Sequence, residues 1–318
     1  MPIERMKPSP PFYHTGVDLF GPIFIKDTVK KRTKMKCYGI IFNCLTTRAI
    51  YLDIACGYDT DNFLLVLRRF ISIYGCPSEI RSDAGSQIIA ASKEWKDLFE
   101  EKINTVASKY SMKWIVNKSG DAPWQNGCTE RLIKSVKRCL SLTINTNVLT
   151  FPELQTVFYE CANTLNERPI GSRDGGRTCI CPNDLLLGRT SIKVPNGKID
   201  VGLNLRKRFQ FVQSLIQIFW KRWQTNYFTS LILQQKWHVE SRNIQVGDVV
   251  LVQDSNSLRS DWKLAEVSIA NPGSDGKVRD VTLRYKIQND SPNYTGVKNT
   301  SIQRSVHRLV LIVPTEER

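Results

Sequence analysis

Three runs near the start of the chain decide the fold: TGVDLFGPIFI (15–25), MKCYGIIFNCL (35–45) and AIYLDIA (49–55). Each is short, apolar and rich in β-branched and aromatic residues. Turn material such as Gly21-Pro22 and Thr46-Thr47-Arg48 breaks them up, which predicts strands in close succession. Asp59, Thr60 and Asp61 offer capping oxygens to FLLVLRRFISIYG (63–75), whose apolar residues recur at helical spacing as far as Gly75. EIRSD (79–83) reads as a fourth strand, residues 92–104 as a helix and KWIV (113–116) as a fifth strand. The loop NKSGDAPWQNG (117–127) then leads into TERLIKSVKRCLSL, where Leu132, Ile133, Val136 and Leu140 form an apolar stripe, and a further helix covers about 152–165. Three adjacent strands, a helix, then strands alternating with helices predict an α/β unit: a mixed sheet with flanking helices.

Beyond it the pattern changes twice. Residues 167–200 are rich in Gly, Pro and Arg and read as irregular. Residues 203–242 read as a long helical stretch with Arg206, Lys207, Arg208, Lys221, Arg222, Lys236 and Arg242 against one acid, Glu240. Trp220, Trp223 and Trp237 lie among those bases; packing of the helix is the commoner use of such residues, base stacking the rarer one. From Ile244 the sequence is all-β: VGDVVLVQD (246–254), WKLAEVSIA (262–270), RDVTLRYKI (279–287) and SVHRLVLIV (305–313), with turns at Asn271-Pro272-Gly273 and Asp275-Gly276. That predicts a small barrel of about five strands, with Trp262 in its core. The expected organisation is a lead-in (1–10), the mixed-sheet unit (11–170), a linker with the basic helical segment (171–242) and the barrel (243–318).

Charge and cysteine usage narrow the partners. The 318 residues carry 45 Lys+Arg against 30 Asp+Glu, a net charge of +15, which favours a polyanion: nucleic acid first, an anionic membrane surface second. Nine cysteines, an odd number without a regular framework, point to free thiols in a reducing compartment. Cys179 and Cys181 form one C-x-C pair with no second pair, and with three histidines (His14, His238, His307) no His/Cys zinc finger can be assembled. There is no run of about 18 apolar residues and no signal-peptide core, so no membrane partner is expected.

Three carboxylates stand in contexts that suit chemistry. Asp18 interrupts an apolar strand between Val17 and Leu19, and a buried acid is costly unless a partner or a metal compensates it. Asp83 ends the fourth strand in RSDAGSQ, at the carboxyl end where site residues of open α/β sheets converge. Glu130 follows PWQNG in the first turn of the expected helix, with Lys134 and Lys137 on the same face to grip a nucleic-acid backbone. Phosphoryl transfer on DNA uses two divalent cations held by hard oxygen ligands, which clustered Asp and Glu supply. Taken singly, each acid has a plain structural use: Asp18 paired with a base, Asp83 in a turn before Gly85, Glu130 at a helix N-terminus with Lys134 as an i,i+4 partner. The three together, in this order on this kind of sheet, tilt the reading towards a metal site.

The blocks GVDLFGP, RSDAGSQ and APWQNGCTERLIKSVK resemble the D, D, E signature of retroviral-type integrases, which have an RNase H-like fold. TTRAIYLDIA, FLLVLRRFISIYGCPSEIRSD, TLNERPI and CPNDLLLGR resemble the integrases of BEL/Pao-type retrotransposons more closely still. IQVGDVVLVQD, WKLAEVSIANPGSDGKVRDVTLRY and RSVHRLVLI resemble that group's C-terminal SH3-like β-barrel. The resemblance runs from about Pro11 to Val313. It implies Asp18, Asp83 and Glu130 as catalytic and metal-binding residues, Mg2+ or Mn2+ in a two-metal site, and Lys134, Lys137, Arg138, Gln125 and Asn126 as DNA contacts. It also implies 3′-end processing and strand transfer of element DNA into target double-stranded DNA, a homo-oligomer on that DNA, and nuclear action after a cytoplasmic stage. The sequence departs from the group at Ala84 and Gln87, where Asn is usual, in the 47 residues between the second and third acids (130 − 83), and in lacking a His/Cys zinc segment ahead of the core. These departures motivate a second expectation, a catalytically silent or co-opted remnant that coats DNA or chromatin. An RNase H-type nuclease is the third, disfavoured by the barrel and the basic stretch, which such an enzyme does not need.

Overall fold

The computed structural model describes residues 8–27, 33–82, 93, 112–116, 123–144, 147–173, 178–188, 208–231, 242–254, 257, 259–260, 262–285 and 301–317; of 123–131, 172, 173, 178 and 317 it describes the backbone alone. The described residues within Met1–Asn166, Pro182–Ser191 and Gly197–Phe219 form one compact unit, and those within Glu167–Cys181, Ile192–Asn196 and Trp220–Arg318 form another.

The first unit is a mixed sheet with flanking helices. Strands β1 (His14–Lys26), β2 (Lys34–Cys44), β3 (Ile50–Ala55), β4 (Glu79–Ser82) and β5 (Lys113–Val116) lie in the order β3-β2-β1-β4-β5. β1, β2 and β3 are antiparallel, and β4 and β5 run parallel to β1. Gly21-Pro22, read from sequence as a turn, lies instead inside β1. The ladder passes from Phe20↔Gly39 to Ile23↔Cys37, so the dipeptide bulges out between them. Pro22 has no N–H to give the ladder, and a bulge is where a strand tolerates that. Phe20 lies flat over Gly39, where an added Cβ would stand 2.1 Å from its ring, and its ring faces Phe158 at 5.7 Å.

Helix α1 (Thr60–Tyr74) starts where the sequence expected: the Asp59 carboxylate accepts from the Asn62 amide at 2.8 Å, and Gly75 stops it at φ 85°. Its Phe63, Val66, Leu67 and Phe70 cover one face of the sheet with Val17, Ile40, Phe42, Tyr51 and Ile80. Helices α2 (Pro123–Ile144) and α3 (Phe151–Asn166) follow. α2 begins earlier than expected, because Pro123 suits the first helical position and takes the residues read as a loop, PWQNG, into the helix. At the far end of α3 the Asn166 amide closes on the backbone of Ile50, accepting from its N–H and donating to its C=O, each at 2.8 Å. The edge strand β3 thereby loses an unpaired backbone position.

The start of α3 is a capping box: the Glu153 carboxylate reaches back to the Thr150 N–H at 2.8 Å. Arg208 grips the same carboxylate with two bonds of 2.6 Å. These hold the Glu153 carboxyl down to about 2, with the Arg208 hydrogen bonds as the main cause. A folded-state value below the unfolded one means stability present above the usual glutamate range and lost as pH falls towards about 2. Glu153→Ala is expected to cost about 1 kcal/mol near neutral pH, chiefly through the cap. Urea unfolding of the two proteins should converge between pH 4.5 and about 2; a gap that persists at pH 2 would refute the assignment.

Residues 167–200, expected to be irregular, contain the antiparallel pair β6 (Gly171–Arg173) and β7 (Thr178–Ile180) and the short helix α4 (Pro182–Leu187). Three-residue strands offer no alternation for a sequence pattern to catch. Helix α5 (Arg208–Leu231) falls within the expected basic stretch. It gives its residues up to Phe219 to the first unit and the remainder to the second.

In the second unit β8 (Val249–Val252), β9 (Lys263–Pro272), β10 (Val278–Tyr285), β11 (Ser301–Ser305) and β12 (Leu309–Val313) form one antiparallel sheet, β11-β10-β9-β8-β12. β11 and β12 occupy opposite edges, yet only the 3-10 turn Val306–Arg308 joins them. Four strand spacings in a flat sheet would need about 19 Å, more than four Cα–Cα steps can span, so the sheet curls. β8 is buried on both faces. Val250 and Val252 point into one core with Val267, Val281 and Leu283, and Val249 and Leu251 into another with Phe228 and Val313. Trp220 and Trp223 are buried, and Trp220 meets Trp262 edge-on at 5.1 Å; all three are packing residues, and Trp237 lies outside the described residues.

Candidate active site

β1 is the middle strand of the first sheet, and Asp18 stands opposite Ile41 of β2 on the face that also carries Phe20. On the other side of β1, the parallel pairing with β4 runs from His14↔Glu79 to Val17↔Ser82, the last pair among the described residues. The next residue in sequence after each member of that last pair is an aspartate: Asp18 on β1 and Asp83 after β4. Asp83 itself lies outside the described residues.

Helix α2 comes to this point through a long side chain. The Lys137 ammonium is 2.5 Å from Asp18 Oδ2 and donates to the Leu19 carbonyl at 2.7 Å. Both partners of the ion pair are about a quarter exposed, 28% and 25%, so the carboxylate is open to solvent. The burial of α2 explains why the lysine arrives here: Ile133, Val136, Cys139, Leu140 and Ile144 are buried, which fixes the rotation of the helix. Position 130 is two turns before 137 on the same face, about 10 Å along the axis. The helix start at Pro123 therefore puts position 130 in its third turn, where the sequence had placed it in the first. Lys134 and Arg138 are exposed on α2; Gln125, Asn126 and Glu130 are helical, and only their backbone is described.

Lys137, expected from sequence as a DNA contact, here pairs with Asp18. Sequence reasoning missed a cleft of about 450 Å³ beside the pair, lined by Phe20 to Phe24 of the β1 bulge, Lys34, Lys137, Ser141, Ile144, Asn147 and Val148. Gly21-Pro22 was its one trace in the sequence.

No group of three or more metal-ligating side chains occurs among the described residues. Asp18 offers the hard oxygen donors that a divalent cation takes and is part-exposed, with the Lys137 ammonium on Oδ2. Among the described residues no helix is long and apolar enough to cross a membrane.

A family model described as a family of unknown function, DUF5641, matches residues 207–312, about a third of the chain. No curated protein matches. Among solved structures, the chain is similar to a chain of the simian T-cell lymphotropic virus intasome in complex with the PP2A regulatory subunit B56 gamma. The identity is 12%, covering 96% of this chain and 80% of that one, with a TM-score of 0.38. It is also similar to the HTLV-2 integrase catalytic core domain in complex with magnesium. The dimeric form is 17% identical over 49% of this chain and 88% of that one, TM-score 0.33, and the trimeric form 16% identical over 52% and 93%, TM-score 0.33.

Proposed function

We propose that this chain is the catalytic core and following basic segment of a BEL/Pao-type retrotransposon integrase, with an SH3-like barrel formed by β8–β12. The observation that carries the reading is the parallel register Val17↔Ser82, which sets side by side the two residues that Asp18 and Asp83 directly follow in sequence. The ordered blocks around Asp18, Asp83 and Glu130 support it, as does the ion pair that brings α2 to Asp18.

On this reading Asp18, Asp83 and Glu130 hold Mg2+ or Mn2+. The bound ions would lower the pKa of the attacking water or hydroxyl and neutralise charge at the phosphate. The protein's own part is positioning. Asp18 is fixed on a central strand, and the exposed Lys134 and Arg138, with Lys137, Gln125 and Asn126, line α2 for contact with a DNA backbone. In the first step water attacks the phosphorus of a phosphodiester near the element's 3′ end. The new P–O bond forms as the bond to the element's 3′-oxygen breaks, that oxygen takes up a proton as a 3′-hydroxyl, and the terminal nucleotides leave with the 5′-phosphate. In the second the freed 3′-hydroxyl displaces a target 3′-oxygen in the same way, so strands are joined without a protein-bound intermediate. The protein would work as a homo-oligomer on double-stranded DNA in the nucleus.

The test is a joining assay with Mg2+ or Mn2+ and short duplexes carrying the element ends. The expected result is metal-dependent joined product; its absence, under conditions where a related integrase joins the same duplexes, would sink the reading. A second reading, a catalytically silent DNA-coating remnant, is favoured by the lysine seated on Asp18 together with the net charge of +15. It expects duplex binding that weakens steeply with salt and that Asp83→Asn leaves unchanged, with no joining under any metal.

A further inference from the structure

We infer that Lys137 is a displaceable counter-ion at Asp18, which makes cation binding at that carboxylate depend on DNA binding; this rests on the reading of Asp18 as a metal ligand. Lys137 places its ammonium 2.5 Å from Asp18 Oδ2 and anchors it on the Leu19 carbonyl at 2.7 Å. A divalent ion approaching the same carboxylate meets a like charge at short range, in a site only a quarter exposed, where water screens it incompletely. One of the two cations has to leave.

Lys137 is built to leave. Its four-carbon stem rotates freely compared with the planar fork of an arginine. It also lines the cleft of about 450 Å³ formed with the β1 bulge, so it has room to move without unpacking α2. It needs another anion to go to, and a phosphodiester is one. With DNA present the ammonium moves to a phosphate oxygen, and the Asp18 oxygen it held is open to the divalent ion. Without DNA the lysine holds Asp18 neutralised. Such coupling is reciprocal: DNA strengthens cation binding by the same factor by which the cation strengthens DNA binding.

The experiment uses the full chain and measures Mn2+ binding by calorimetry, with free Mn2+ counted by its paramagnetic resonance signal, with and without a short blunt duplex. Wild type is expected to bind Mn2+ about tenfold more tightly with duplex than without, within the usual range of such couplings. Lys137→Met should bind Mn2+ in the absence of DNA about as tightly as wild type does in its presence, and duplex should add little. Lys137→Arg, which keeps the cation, should stay weak without DNA. If Asp18→Asn abolishes the Mn2+ site but Lys137→Met does not tighten it, the counter-ion role is overturned and the integrase reading stands. If Asp18→Asn leaves Mn2+ binding unchanged, the metal site at Asp18 is overturned and the counter-ion role goes with it. The comparison of wild type with and without duplex needs no variant, so poor folding of Lys137→Met would not rescue the inference: no gain from duplex overturns it.

Discussion

Asp18→Asn should lower DNA joining by about 10³-fold, equivalent to roughly 4 kcal/mol of lost transition-state charge stabilisation, while duplex binding measured without divalent metal is kept. Asparagine keeps the size and shape of aspartate, so the central strand is undisturbed, and only the anionic charge is lost. The fold should notice little. The Asp18–Lys137 pair is part-exposed on both sides, and such pairs contribute on the order of 1 kcal/mol or less. Joining measured on gels and binding measured by fluorescence anisotropy separate the two effects. Joining that survives within tenfold of wild type would remove Asp18 from the machinery.

The largest effect on stability is expected at Phe70. It is fully buried on α1, stacks on Phe42 with centroids 4.2 Å apart and planes at 4°, and meets Phe12 edge-on at 5.3 Å and Tyr74 at 5.5 Å. Phe70→Ala removes the ring that ties helix to sheet and leaves a cavity. The expected cost is about 4 kcal/mol, including the ring contacts, and a drop in melting temperature of roughly 10 °C. Phe70→Leu, which keeps most of the volume, should lose distinctly less. Thermal unfolding followed by circular dichroism checks both; an alanine variant that melts within 3 °C or so of wild type would mean that the core around Phe42 is packed otherwise.

Much of this architecture was legible in the residues because local signals and burial agree. The runs at 15–25, 35–45 and 49–55 fall on β1, β2 and β3, and KWIV coincides with β5. Asp59 and Gly75 bound α1 as capping chemistry dictates. Misreadings arose where a local rule had two outcomes. Gly-Pro marks a turn in most contexts, but here a bulge absorbs it within a long strand. Pro123 reads equally as loop material or as a first helical residue, and the folded chain takes it as the latter. The partner of Lys137 was not legible at all. Asp18 and Lys137 are 119 residues apart (137 − 18), and no spacing rule connects a strand acid to a helix lysine over that distance. Asp83, most of the helix expected at 92–104 and Trp237 lie outside the described residues, and of Glu130 only the backbone is described.

The curl of the second sheet also dictates an order of events in folding. β8 and β9 are close in sequence, as are β9 and β10, so these hairpins assemble from local encounters. β8 and β12 are different: their paired residues are separated by 57 (309 − 252) to 64 (313 − 249) positions. Closing so long a loop carries a large entropic penalty before any contact compensates it. The meander is therefore expected to nucleate early and stand with one side of β8 unzipped, until the final strand swings round and seals it.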